Sequence, residues 1–274
     1  MKLLNKKISF ALVTFGAALL FAVGAGKANA ATTITVGASP VPHAQILEHV
    51  KPQLKKEGVN LKIKKFTDYV MPNRALTAKE LDANYFQHIP FLEDYNKKNN
   101  TDIVNAGSVH IEPIGIYSKQ VKKLSQVKDG SKVLVSNNKP DWGRILTMLK
   151  DAKLITLKKG VNETKATFKD VAKNPKHLKF EYDFEPKLMP ELLKNNEGAL
   201  VAINANYAVG AKLNPKKDAI ALEKTSSPYA NIIAVRKGDQ NKPAIKKLVK
   251  ALTSKSTQQW IDKKYKGAVL PVKD

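Results

Sequence analysis

Two hydrophobic periods take turns along this chain. "TITVG" at 33–37 alternates apolar and polar residues as a strand does, and "PHAQILEHVKPQLKKEG" then places Ile46, Leu47, Val50 and Leu54 on one helical face before Gly58. "VNLKIKKF" returns to the period of two through Val59, Leu61 and Ile63. The switching continues: "VHIEPIGIYS" reads as extended, "SKVLVSN" as a strand, "DWGRILTMLKDA" as a helix, "HLKFEYDF" as a strand, "LMPELLKN" as a helix, and "ALVAIN" and "NIIAVR" as strands. Two further helical patterns follow, at "PAIKKLVKALTS" and "STQQWIDKKY", before the apolar tail "GAVLPV". Such alternation predicts an α/β fold with mostly parallel sheets.

Residues 1–30 read as a signal peptide: Lys2, Lys6 and Lys7 precede an apolar stretch from Ile8 to Val23, and Ala28-Asn29-Ala30 forms a small-x-small cleavage site. The competing reading is an uncleaved membrane anchor. The signal peptide implies export, to the outer face of the membrane or the cell wall, and because no second hydrophobic span follows, the mature chain is expected to be soluble. The chain has no cysteine, which rules out disulfides, thiolate metal sites and lipid attachment through cysteine. Without the four lysines of the first thirty residues, 43 of the 47 basic side chains remain against 24 acidic ones, a mature charge of +19. A field of that sign attracts anionic cell-wall polymers, or serves only to keep the surface soluble. Because the lysines are not interleaved with aromatics, nucleic acid is not expected as a partner.

Catalytic signatures are missing from the sequence. Neither "GxSxG" nor the glycine-rich phosphate loops occur. The histidines His43, His49, His88, His110 and His177 show no tight ligand spacing, although His43, His88 and Glu112 would form a metal site if the fold brought them together. No enzyme, cofactor or metal is expected. What remains is a set of polar residues at predicted strand ends, where open α/β sheets bind ligands. Arg144 opens a helix, where it makes either a surface ion pair or a clamp on a carboxylate. Asn204 caps a helix or emerges at a strand end. Asn231 is a turn residue or a strand-end amide, and Tyr69, Phe86 and His88 line an apolar slot or fill a core.

Several stretches in order, "PHAQILE", "FTDYVMPNRAL", "ELDANYFQHIPFLEDYN", "VHIEPIGIYS", "WGRIL", "NPKHLKF", "INANYA" and "SPYANIIAVR", closely resemble the methionine-binding lipoproteins of the NlpA type, the substrate-binding subunits of methionine ABC importers. The likeness runs from about Thr33 to Pro271. It implies a periplasmic-binding-protein-like fold of two α/β lobes, one of residues 31–118 plus 229–274 and the other of 119–228. The lobes would close over methionine, a related amino acid or a short peptide and deliver it to an importer permease with its ATPase. By the same resemblance Tyr69, Phe86 and His88 form the wall around the ligand side chain, Arg144 clamps its carboxylate, and Asn204 and Asn231 fix its backbone.

Relatives usually carry a cysteine at the mature N-terminus, absent here. They also tend to read "NDPTNxGRAL" where this chain reads "NNKPDWGRIL", so Asp141 stands where an asparagine is expected, and Met71 replaces a common glutamine. Asp141 is expected either to pair with a ligand ammonium or to cap its helix. The rival to a transport role is a basic cell-surface adhesin or wall-associated protein on the same scaffold.

Overall fold

The computed structural model describes residues 31–224 and 228–272, so the signal-peptide reading of residues 1–30 lies outside the described residues. Strand β1 (Thr32–Ala38) leads to helix α1 (Gln45–Lys56), which buries Ile46, Leu47, Val50 and Leu54, the face that the spacing predicts. Gly58 ends that helix at φ 77°, a left-handed turn that costs glycine little. The chain then enters β2 (Val59–Lys65), parallel to β1. Helix α2 (Met71–Thr77) carries it to β3 (Ala83–His88), parallel to β1 on the other side. Helix α3 (Ile89–Asn99) and β4 (Ile103–Ile111) complete the first run.

At this point the chain changes sheets. β5 (Gly115–Tyr117) is followed by β6 (Lys132–Ser136), α4 (Trp142–Asp151), the short pair β7 (Thr156–Leu157) and β8 (Val171–Lys173), and β9 (Lys179–Phe184). Then come α5 (Met189–Lys194), β10 (Leu200–Ile203), α6 (Ala205–Gly210), the single turn α7 (Pro215–Asp218) and β11 (Ala221–Leu222). The chain returns through β12 (Ala230–Arg236), α8 (Pro243–Thr253), α9 (Lys255–Tyr265) and β13 (Leu270–Pro271). The first sheet has the order β13-β4-β12-β3-β1-β2, the second β11-β5-β10-β6-β9.

"VHIEPIGIYS" is extended, as two strands: β4 ends at Ile111 in the first sheet and β5 begins at Gly115 in the second, with Pro113, which has no N–H to donate to a ladder, between them. One expectation is corrected: the sheets are not mostly parallel. β12 runs antiparallel to both β3 and β4, and β5 antiparallel to both β10 and β11. Strands that enter a sheet from the other one need no βαβ crossover, which frees them from the parallel sense.

Each sheet has its own apolar cluster. Under the first sheet, Ile46, Leu47 and Leu54 pack with Ile245, Leu248 and Leu252 of α8 and Ile261 of α9. Under the second, Ile145, Leu146 and Leu149 of α4 pack on Val133, Val135 and Leu200. Among the described residues no helix is long and apolar enough to cross a membrane.

Candidate functional site

The polar residues singled out above gather at the ends of parallel strands from both sheets. His88 is the last residue of β3, Asn204 follows β10, and Asn138 lies two residues past β6. Tyr69, Phe86, Gln87, His88, Phe91, Glu112, Asn138, Arg144, Asn204, Ala205, Asn206 and Asn231 surround one cavity. The free space they enclose is about 20 Å³, roughly the room of a single water. Six of the seven residues picked from the sequence line it; Asp141 does not.

Asp141 lies behind the cavity with no exposed surface, and its carboxylate is the hub of the polar groups. Arg144 donates to Oδ1 from Nε at 3.0 Å and from Nη2 at 2.6 Å. His88, from the first sheet, meets the same oxygen at 3.0 Å. Asn204 donates from Nδ2 to Oδ2 at 2.8 Å, and Asn138 donates to Oδ2 as well. Burial alone would raise the pKa of this acid. The Arg144 charge and the hydrogen bonds from His88 and Asn204 outweigh that and hold the carboxyl well below the ordinary range, so it is ionised. Asp141 makes no side-chain cap on α4.

The ionised hub orients its neighbours. A carboxylate only accepts, so Asn204 must present its nitrogen to Asp141, which turns Oδ1 the other way. That oxygen is buried and has no partner. Nor does Asn204 cap α6 with its side chain. His88 Nδ1 accepts from the Phe91 backbone N–H at 3.2 Å, which places the ring proton on Nε2, toward Asp141. On its far side Arg144 donates from Nη1 to Glu223 Oε2 at 2.9 Å, and the Tyr229 ring lies 4.5 Å from Cζ.

The apolar wall is aromatic. The rings of Tyr69 and Phe91 are 6.0 Å apart, and those of Phe86 and Phe91 5.6 Å. Tyr69 donates its hydroxyl to Asn206 Oδ1 at 2.6 Å, and Tyr207 to the Thr67 carbonyl at 3.1 Å. Both bonds join side chains or backbone that follow strands of different sheets. Phe91, Asn138, Asn206, Glu223 and Tyr229 were missed in the sequence. The signal for Phe91 was its place one turn into a helix that His88 caps; Glu223 and Tyr229 gave none.

The conditional set His43, His88 and Glu112 does not come together. His43, His110 and Glu112 have ligand atoms within 4.8 Å of one another, while His88 turns to Asp141. His110 Nε2 lies 2.7 Å and His43 Nε2 3.2 Å from Glu112 Oε1. His43 Nε2 also meets Asn231 Oδ1 at 2.9 Å, and Tyr85 pairs with His110 Nδ1. Burial lowers the pKa of His43 to about 4 and of His110 to about 3, and raises that of Glu112. Hydrogen bonds tie His110, Glu112 and Nε2 of His43 together, while His43 Nδ1 is buried without a partner.

Two α/β sheets with strand ends facing one polar and aromatic cavity, joined by a chain that crosses between them and back, define a two-lobed solute-binding protein of the periplasmic type. The chain belongs to the NlpA lipoprotein family, whose model matches residues 34–273. It is 49% identical to the methionine-binding lipoprotein MetQ of Bacillus subtilis over 96% of this chain and 97% of that one. A nutrient binding protein from Burkholderia cenocepacia bound to methionine superposes with a TM-score of 0.82 at 42% identity, covering 88% of this chain and 100% of the other. A periplasmic substrate-binding protein of an ABC transporter from Coxiella burnetii superposes at 0.81 with 37% identity, covering 87% and 100%. This is a binding protein, not an enzyme.

Proposed function

We propose that the chain captures methionine, or an amino acid or short peptide of similar side chain, between its two sheets and hands it to an ABC importer permease with its ATPase. The observation that carries this reading is Asn204 Oδ1, a buried acceptor without a partner beside a cavity walled by Tyr69, Phe86 and Phe91. A buried acceptor left unpaired costs about 1–3 kcal/mol, which a ligand ammonium would recover. Glu112 adds a second acceptor on the same cavity, Asn231 lies beside it, and Arg144 faces the ligand's carboxyl end. The methionine-named relative and the methionine-bound structure support the choice of side chain. The two sheets serve as the closing lobes, with residues 119–228 in the second; because β5 (Gly115–Tyr117), counted above with the first lobe, pairs in the second sheet, the crossing is taken between Ile111 and Gly115.

Native mass spectrometry of protein purified without added ligand, followed by calorimetry with the amino acids, tests this. A retained mass of methionine, or a saturable heat with it, is expected. No retained ligand and no heat with any amino acid or with methionyl dipeptides would refute capture.

Retention outside the cell is a separate matter, since the family is one of lipoproteins and this chain has no cysteine. We take the cationic surface as what holds it to anionic cell-wall polymers.

A further inference from the structure

We propose that Asp141 is a built-in anion that occupies the carboxylate-recognising donors of the cleft, so that this protein selects ligands by ammonium and side chain and favours a charge-neutral carbonyl end over a free carboxylate. The inference rests on the capture reading above and names its ligand class: an α-amino amide, such as the amino-terminal residue of a peptide, before the free amino acid.

The donors around Asp141 are those an incoming carboxylate would need. Two come from the Arg144 guanidinium, one from the His88 ring and two from the amides of Asn204 and Asn138. They converge from both sheets on a group that belongs to the chain itself. His88 has no alternative, since its other nitrogen already accepts from the Phe91 N–H.

Charge counting points the same way. The single positive charge of Arg144 faces two carboxylates, Asp141 at 2.6 Å and Glu223 at 2.9 Å. The local sum is therefore −1 before any ligand arrives, and Glu112, whose side chain also lines the cavity, adds no positive charge. A ligand carboxylate entering here meets a guanidinium whose edges are taken and a negative field. An amide carbonyl meets neither repulsion nor the loss of its own hydration as an ion. The ammonium end, in contrast, meets Asn204 Oδ1 without a partner.

Calorimetry on the wild-type protein with methionine, methioninamide and N-acetylmethionine is decisive. Methioninamide is expected to bind more tightly than methionine, by about threefold or more, and N-acetylmethionine about tenfold more weakly than methionine or worse. Asp141→Asn, which keeps shape and frees Arg144, is expected to tighten methionine relative to methioninamide by about tenfold. A wild-type protein that binds methionine as tightly as methioninamide, or more tightly, overturns the inference and leaves capture intact. Absence of binding by all three overturns capture and the inference with it. The wild-type comparison stands even if the variant does not fold.

Discussion

Arg144 and Asp141 are 6% and 0% exposed, and neither charge reaches solvent freely. Truncating one partner of such a pair leaves the other charge buried and uncompensated, which costs about 3–5 kcal/mol. Arg144→Ala is therefore expected to lower the denaturant midpoint strongly, and Arg144→Ala combined with Asp141→Ala to recover part of that loss. A double variant no more stable than the single one would mean that the pair is not coupled. Acid acts on other residues. His43 and His110 titrate near 4 and 3 in the folded protein, below the ordinary 6.5, so the unfolded chain takes up their protons first. Their stabilising effect is complete above pH 6.5 and fades as the pH falls toward 4 and then 3. Glu112 acts in the opposite sense, since its raised pKa favours the folded state on protonation, but it is one group against two. Asp141, held below its ordinary value, loses its contribution only below about pH 4 and stays out of this window. A urea midpoint lower at pH 5 than at pH 7.5 is expected; an equal or higher one contradicts the burial of neutral histidines.

At the scale of the element, α4 is the part that aims Arg144. Its packing depends on Gly143, where a Cβ would stand 2.3 Å from the Glu163 carbonyl oxygen and 2.7 Å from the Thr164 carbonyl carbon. Both are backbone atoms and give way only if the helix or the 163–165 turn moves. Gly143→Ala is expected to destabilise by about 1–3 kcal/mol and to weaken ligand binding, because the shift is inherited by the neighbouring Arg144. Thermal melting with calorimetry checks both, and a variant with unchanged melting would show that α4 has slack. The helical face of α4, with Ile145, Leu146 and Leu149 inward, was legible from spacing alone. The contact of Gly143 with residues twenty positions on was not, since spacing reports what lies on a face and not what meets it.

For the molecule as a whole, the proposed retention at the cell wall rests on surface charge. If cationic side chains hold the mature protein to wall polymers, washing cells with 1 M salt, where the screening length falls to about 3 Å, is expected to release it. Protein that stays with the cells in salt and leaves only in detergent would point to a membrane anchor. Closure is the other whole-molecule property. The Tyr69–Asn206, Tyr207–Thr67 and His88–Asp141 bonds each join segments that belong to different sheets. A ligand seated among them therefore draws on both.

Most of the alternation of strands and helices and the buried faces of α1 and α4 were legible in the residues, because periodicity is a local property that survives folding; that Tyr69, Phe86, His88, Arg144, Asn204 and Asn231 share one cavity was implied only by the family resemblance, since spacing alone left each of them a structural alternative. The place of Asp141 was not. From the sequence it was a helix cap or a partner for a ligand ammonium; the fold turned it inward, onto an arginine three residues away and a histidine 53 residues earlier. The antiparallel senses of β5 and β12, the exchange of His88 for His110 beside Glu112, and the approach of Glu223 to Arg144 were likewise decided only in three dimensions. Each of these depends on which distant segments share a low-dielectric interior, where a charge must find a partner, and the sequence carries no record of that distance.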